Sequence, residues 1–229
     1  MSSLAERLAA VRARIHEAER RFARAPGSVT LLAVSKTQPA GRIREAAVAG
    51  QLCFGENYLQ EALEKMAALT DLPQLEWHYI GPLQSNKTRR IAEHFHWVHS
   101  VDRLKLAQRL SEQRPAHLPP LHVCLQVNIS GEASKSGMTL EELPTVAQAV
   151  AALPRLRLRG LMAIPAPAAD FAAQRRPCAA LRQALERLNA EFGLGLDTLS
   201  MGMSDDLEAA IAEGSTLVRI GTAIFGPRS

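Results

Sequence analysis

The segment LLAVSKTQ (31–38) reads as a buried strand that ends in a lysine. Leu31, Leu32, Ala33 and Val34 are apolar, Ser35 and Lys36 stop the run, and Pro39 follows. A lysine is costly to bury without a partner, and desolvation shifts its amine toward the neutral, nucleophilic form. SMGMSDDLEAAIAEG (200–214) puts a glycine and two serines between a strand and a helix, with Ser204 as the expected N-cap, Asp205 and Asp206 in the acidic first turn and Gly214 as the stop. VRIGTAIFG (218–226) has Gly221 and Thr222 directly after an apolar strand, where a short helical turn can begin. Backbone N–H groups at two such starts, with serine and threonine hydroxyls, suit a phosphate dianion. Arg219 sits between Val218 and Ile220 and needs an acceptor: a rim carboxylate such as Glu56, or a ring nitrogen or anion of a ligand.

Taken singly, each feature has an ordinary reading: a snorkelling lysine, a capped βα turn, an internal ion pair. Taken together, a neutral amine, a phosphate nest and a donor for a heteroaromatic nitrogen describe a site for pyridoxal 5′-phosphate (PLP).

The elements that would position these groups alternate along the chain. Strands are predicted near 31–35, 51–54, 76–80, 96–99, 121–128, 156–163, 197–200 and 216–220, and helices near 40–49, 57–69, 84–93, 102–114, 139–152, 170–191 and 205–213. Leu4, Leu8, Val11, Ile15 and Phe22 recur at helical spacing and add an amphipathic N-terminal helix. Strict alternation means parallel strands with crossover helices, and eight such units favour a closed single-domain (β/α)8 barrel over an open doubly wound sheet. Chemistry in a barrel belongs at the C-terminal ends of the strands, with phosphate near strands seven and eight. Lys36, Asn57, Ser204, Arg219, Gly221 and Thr222 all fall there.

AVSKT (33–37), FGENYLQEALEK (54–65), WHYIGPLQSNK (77–87), VNISGEASKSGM (127–138), LSMGMSDDLEAAI (199–211) and VRIGTAIFG (218–226) resemble, in order and over nearly the whole chain, the pyridoxal phosphate homeostasis (YggS/PROSC) family. The WHYIGPLQSNK block is specific to that family, whereas AVSKT alone is weak. The resemblance implies a barrel like the N-terminal domain of alanine racemase, with PLP joined to Lys36 as a Schiff base. It implies Ser204, Gly221 and Thr222 at the phosphate, Arg219 at the pyridine nitrogen, and Asn57 and Met201 lining the cofactor. Lys135 would be a second lysine near the mouth, a transit point for PLP. Two positions depart from the family pattern: Tyr79 stands where phenylalanine is usual, and Gln38 where many members carry a further lysine. An arginine facing the ring donates a hydrogen bond but does not give up its proton, so the ring is a weak electron sink and carbanion chemistry is disfavoured.

Three other functions compete with this reading. A racemase of the alanine type needs a second base opposite Lys36; only Tyr58 and Tyr79 are available, and the sequence ends shortly after Gly226 without the β-rich domain that supplies one in that fold. HFHWVHS (94–100) resembles metal-ligand spacing, but His94 ends a helix and His96 and His99 point to opposite faces of a strand, so no metal site is expected there. NKTRR (86–90) and Arg20, Arg21 and Arg24 lack interleaved aromatics and read as solvated helix faces, not as a nucleic-acid surface. His78 is expected to support the rim at most.

The resemblance implies a protein that buffers or delivers PLP, with PLP and the apoenzymes that receive it as partners, and a cytoplasmic, monomeric protein is expected. The 229 residues are 47% apolar, with net charge +4 and no apolar stretch long enough to span a membrane. The charged start of the chain does not read as a signal peptide. Cys53, Cys124 and Cys178 are odd in number and unpaired in spacing, which suits a reducing compartment.

Overall fold

The computed structural model describes residues 2–131 and 136–226; Lys135 lies outside the described residues. Strands β1 (Thr30–Val34), β2 (Cys53–Glu56), β3 (Glu76–Tyr79), β4 (Trp97–Val101), β5 (Leu121–Gln126), β6 (Leu156–Met162), β7 (Thr198–Ser200) and β8 (Leu217–Ile220) close into a barrel in chain order. All eight neighbouring pairs are parallel. Helices α2 (Ala40–Val48), α3 (Leu59–Ala68), α4 (Thr88–His94), α5 (Leu104–Gln113), α6 (Leu143–Ala151), α7 (Phe171–Phe192) and α8 (Leu207–Ala212) make the crossovers, and α9 (Thr222–Phe225) follows the last strand.

The N-terminal helix α1 (Leu4–Arg21) starts on a capping box, Ser3 with Glu6, and buries Leu4, Leu8, Val11, Ile15 and Ala18. Its far end is tied to the barrel by Glu19, a buried carboxylate that accepts from the backbone N–H groups of Gly27 (3.0 Å) and Val29 (2.9 Å).

Element ends depart from expectation where local hydrogen bonds intervene. The fifth strand stops at Gln126: Val127 N–H still donates to Met162 O, but Val127 also bridges Met138 and Asn128 N–H donates to Met138 O. Helix α4 begins at Thr88, after a turn in which the Thr88 hydroxyl donates to Ser85 O (2.9 Å). Helix α8 begins at Leu207, not at Ser204.

Most of the core lies between sheet and helices, as aliphatic burial on both faces of a parallel sheet requires. The barrel interior is unusual for this architecture, which mostly fills it with branched aliphatics. Trp97, Cys124 and Met162 form a small separate cluster, accompanied by the buried polar residues His78, His99, Ser200 and Arg219. Toward the N-terminal end of the strands the Trp97 ring stacks between His78 (centroids 5.4 Å apart) and His122 (4.7 Å), with the Arg159 guanidinium 4.9 Å above it. Arg159 pairs in turn with Asp197 at 2.7 Å.

This plug makes stability depend on acid. Burial, reinforced by the Arg159 and Arg157 charges, pushes the His122 imidazole down from 6.5 to about 4. The unfolded chain therefore binds its proton first as pH falls, so stability is complete above pH 6.5 and is lost progressively down to about pH 4. His122 is only partly buried, and solvent screening holds the effect to roughly 1–2 kcal/mol. Urea unfolding at neutral and acid pH measures the loss, and His122→Asn is expected to shrink the difference between them; an unchanged difference rejects the assignment.

Candidate functional site

Charged and polar residues gather where the strands end. Lys36 stands two residues past β1, Asn57 one past β2, and Gly221 directly past β8. A cavity of about 650 Å3 opens at this mouth, within the usual range for small-ligand sites. Lys36, Asn57, Ser204, Arg219, Gly221 and Thr222 all line it. A neighbouring cavity of about 330 Å3 shares Asn57, Ile80 and Ile164 with the first and extends along Gln126 and Asn128.

The turn that carries Lys36 is held from below by a buried polar cluster. Lys65, on α3, is 5% exposed; its ammonium donates to Ser35 O (2.8 Å) and to Glu56 Oε1 (2.8 Å), and it contacts Glu61 as well. The Ser35 hydroxyl donates to the same Glu56 oxygen at 2.6 Å. Burial raises the Glu56 carboxyl pKa, and the Lys65 charge opposes that rise. Thr37 follows Lys36 with φ +64°, a left-handed conformation that costs a β-branched residue about 1–2 kcal/mol. Its N–H donates to Glu61 Oε1 at 2.6 Å, and Gln38 N–H donates to Ser35 O at 3.0 Å, so the surrounding bonds maintain the strained turn. Lys36 itself is half-buried, less desolvated than its place after an apolar run suggests.

Arg219 is anchored within the barrel. Nη1 donates to Ser200 O (2.6 Å) and Ser200 Oγ (2.8 Å), and Nη2 donates to Ala163 O (2.9 Å). Its acceptors are thus not Glu56, which Lys65 has taken. Desolvation lowers Arg219 to about 10, and it remains a cation at neutral pH. From Ser200 the chain continues: His99 Nδ1 lies 2.7 Å from Ser200 Oγ, His99 Nε2 lies 2.9 Å from His78 Nδ1, and His78 Nε2 lies 2.9 Å from Glu76 Oε1.

The direction of donation follows from the two ends. Arg219 can only donate and a carboxylate can only accept. Ser200 therefore gives its hydroxyl proton to His99, His99 donates from Nε2, and His78 donates from Nε2 to Glu76. Burial depresses the pKa of both imidazoles, consistent with two neutral rings. His99 and Ser200 were not legible as site residues, and His78 lies in the barrel interior, not on the rim.

The last two strand ends need one correction and confirm one turn. Ser204 lies in a turn, not at a helix N-cap: Asp206 occupies that position and its carboxylate accepts from Met203 N–H at 2.6 Å. Gly221 leads into α9 as the sequence suggests. Met201 is fully buried in the core, whereas Met203 lines the cavity. Gly202, with φ +99°, turns the chain between them. Asn57 Oδ1 is buried without a hydrogen-bond partner in the protein, an acceptor available to a ligand. His94, His96 and His99 do not converge: His94 caps its own helix against Arg90 O, His96 accepts from Trp77 N–H, and His99 faces Ser200.

The mouth depends on one close approach. A Cβ on Gly81 would stand 2.1 Å from Asn57 O. Gly81→Ala must push the ends of β2 and β3 apart, and it is expected to lower stability by about 1–3 kcal/mol in urea unfolding. Ordinary stability would show that the backbone relaxes there without resistance.

These residues fit a phosphorylated pyridine aldehyde: an amine, a buried guanidinium, hydroxyl donors and an open acceptor share one cavity. The model of the alanine racemase N-terminal domain matches residues 7–229. A pyridoxal phosphate homeostasis protein of Pseudomonas aeruginosa is 69% identical over 228 residues, covering 100% of this chain and 97% of that protein. The Escherichia coli K12 protein of the same name is 57% identical, with 100% and 98% covered. The structure of PipY from Synechococcus elongatus with PLP bound is 41% identical with a TM-score of 0.87, covering 98% of this chain and 100% of that one. Alanine racemase from Corynebacterium glutamicum, at 19% identity and TM-score 0.68 over 95% of this chain and 60% of that one, shares the fold alone. The chain belongs to the family of pyridoxal phosphate homeostasis proteins, built on the alanine racemase N-terminal domain.

Proposed function

We propose that this chain is a single-domain, monomeric cytoplasmic protein that holds PLP at the C-terminal mouth of its barrel through Lys36. It buffers or delivers the cofactor to apoenzymes and supports amino- and keto-acid balance without robust turnover of its own. The observation that carries the reading is the convergence of Lys36, Arg219, Ser204 and Thr222 on one cavity, drawn from strand ends far apart in sequence. The PLP-bound structure of the PipY relative and the names of the two bacterial relatives support it.

Each residue has a stated part. Lys36 offers the amine, and the bonds around Ser35 and Thr37 aim it. The Ser204 and Thr222 hydroxyls and the backbone at Gly221 hold the phosphate. Arg219 has donors to spare beyond its three protein bonds and directs them at the ring nitrogen. Asn57 accepts from a ring substituent. Lys135 remains a proposed transit point. When bound, PLP supplies an aldehyde that condenses reversibly with primary amines, so exchange with another amine releases it without an oxidant or a nucleotide.

The same residues argue for carriage over racemisation. A guanidinium keeps its proton, so the nitrogen it faces gains a donor but no charge. Of the two tyrosines, Tyr79 is buried, donates to Pro82 O at 3.1 Å and is pushed up to about 12 by desolvation, while Tyr58 is exposed and lines neither cavity at the mouth. Neither is placed as a second base. Hydride reduction of the purified protein, digestion and mass spectrometry are expected to find a pyridoxyl group on the peptide containing Lys36. An unmodified Lys36 peptide overturns the attachment, and sustained alanine racemisation by the same preparation overturns the carrier role.

A further inference from the structure

At the opposite mouth of the barrel, three metal-ligating side chains of different chemistry come together. Cys53 opens β2 and Glu76 opens β3, paired in register, and His78 lies one step further along the same strand. The Cys53 sulfur, a Glu76 oxygen and a His78 nitrogen all lie within 4.8 Å of one another. Among the described residues this is the cluster of that kind. We propose that Cys53, Glu76 and His78 form a binding site for a thiophilic divalent cation of the zinc type.

The donor set selects the ion. Sulfur, imidazole and carboxylate together suit Zn2+, which takes four such ligands, whereas Mg2+ and Ca2+ take oxygen. Three protein ligands leave a fourth position for water. The ring of His78 is already oriented as a ligand should be. Its Nδ1 is held by His99 at 2.9 Å, and its Nε2 points at Glu76. An outer partner on the second ring nitrogen is the usual companion of a metal-bound histidine. Access exists from outside: a cavity of about 280 Å3 reaches Cys53 past Gly50, Gln51 and Leu52. Glu76 is 43% exposed on its side chain, so the site is not sealed.

Charge and protons balance. The Cys53 thiol gives its proton to solvent and binds as thiolate, and Glu76 binds as carboxylate. His78 moves its proton from Nε2 to Nδ1, where His99 Nε2 accepts it, and His99 then donates from Nδ1 to Ser200 Oγ. One Zn2+ thus replaces one proton, and two anionic ligands neutralise it. Among the described residues, none of the three ligands contacts a residue assigned to PLP; the only path between them is the chain from His78 through His99 and Ser200 to Arg219.

The test uses the full-length protein with its cofactor, stripped of metal by chelation and titrated with Zn2+. We expect one equivalent to bind, and zinc X-ray absorption to show one sulfur near ~2.3 Å with nitrogen and oxygen near ~2.0 Å. Cys53→Ser is expected to remove the sulfur signal and weaken binding by about tenfold or more, with Glu76→Gln weakening it similarly. The visible absorbance of bound PLP should stay unchanged in Cys53→Ser. No stoichiometric binding, zinc bound without sulfur, or unchanged affinity in Cys53→Ser would each overturn the site. Sulfur ligation that survives Cys53→Ser would assign the metal to Cys124 or Cys178 instead and overturn it as well.

Discussion

Alanine at position 36 abolishes the visible absorbance of the bound cofactor and the hydride-trapped adduct, yet leaves the fold standing. Both halves of this expectation follow from where Lys36 lies. It comes after β1 has ended, half-buried in a turn, and contributes nothing to the aliphatic core. Substitutions at such places change stability by about 0.5 kcal/mol or less, so urea midpoints should coincide. The phosphate and ring contacts remain in the variant, and PLP is retained weakly and reversibly. Loss of the covalent link is expected to weaken retention by more than tenfold, about 1.4 kcal/mol or more, read by equilibrium dialysis. A variant that keeps the full visible band would move the attachment to another lysine, Lys135 first. A variant that unfolds would show instead that the lysine is a structural member of the mouth.

The barrel was legible because buried parallel strands write themselves as short apolar runs, and each lies in its predicted place within a few residues. Their ends were less legible. The true start of α8 is fixed by the Asp206 carboxylate folding back on Met203 N–H, a choice between neighbouring acidic residues that composition does not make. Charged residues in apolar runs were the readable part of the site, since Lys36 and Arg219 break the pattern that surrounds them. What supports them was hidden. Ser200 carries no mark in its strand, His99 stands out only within a metal-like histidine spacing, and their contact joins residues 101 positions apart. Met201 and Met203 could not be told apart without the left-handed turn at Gly202, which decides which one faces the cavity. The cluster of Cys53, Glu76 and His78 was equally silent, because its ligands come from two strands brought into register only by the closed sheet.

Lys65 is the most consequential of the hidden residues, and its removal should produce the largest loss of stability. In sequence it is a helix lysine four residues after Glu61, the pattern of an exposed ion pair. In the fold it is 5% exposed and satisfies Glu56, which is fully buried. Lys65→Met fills a similar volume but leaves the Glu56 carboxylate without its cation; one of its oxygens already lacks a partner. Breaking a buried pair in this way costs about 3–5 kcal/mol. The loss should fall on the mouth as well, because Lys65 also holds Ser35 O, one residue before Lys36. The yield of hydride-trapped PLP at limiting cofactor should therefore drop with stability. The double variant Lys65→Met with Glu56→Leu separates the causes. With no buried charge left, stability should recover most of the way toward the parent, while the turn stays untethered and trapping stays low. Recovery of both together would mean that the cluster matters to the site only through the fold, and no loss in Lys65→Met would mean that Glu56 is neutral in the native protein and needs no cation.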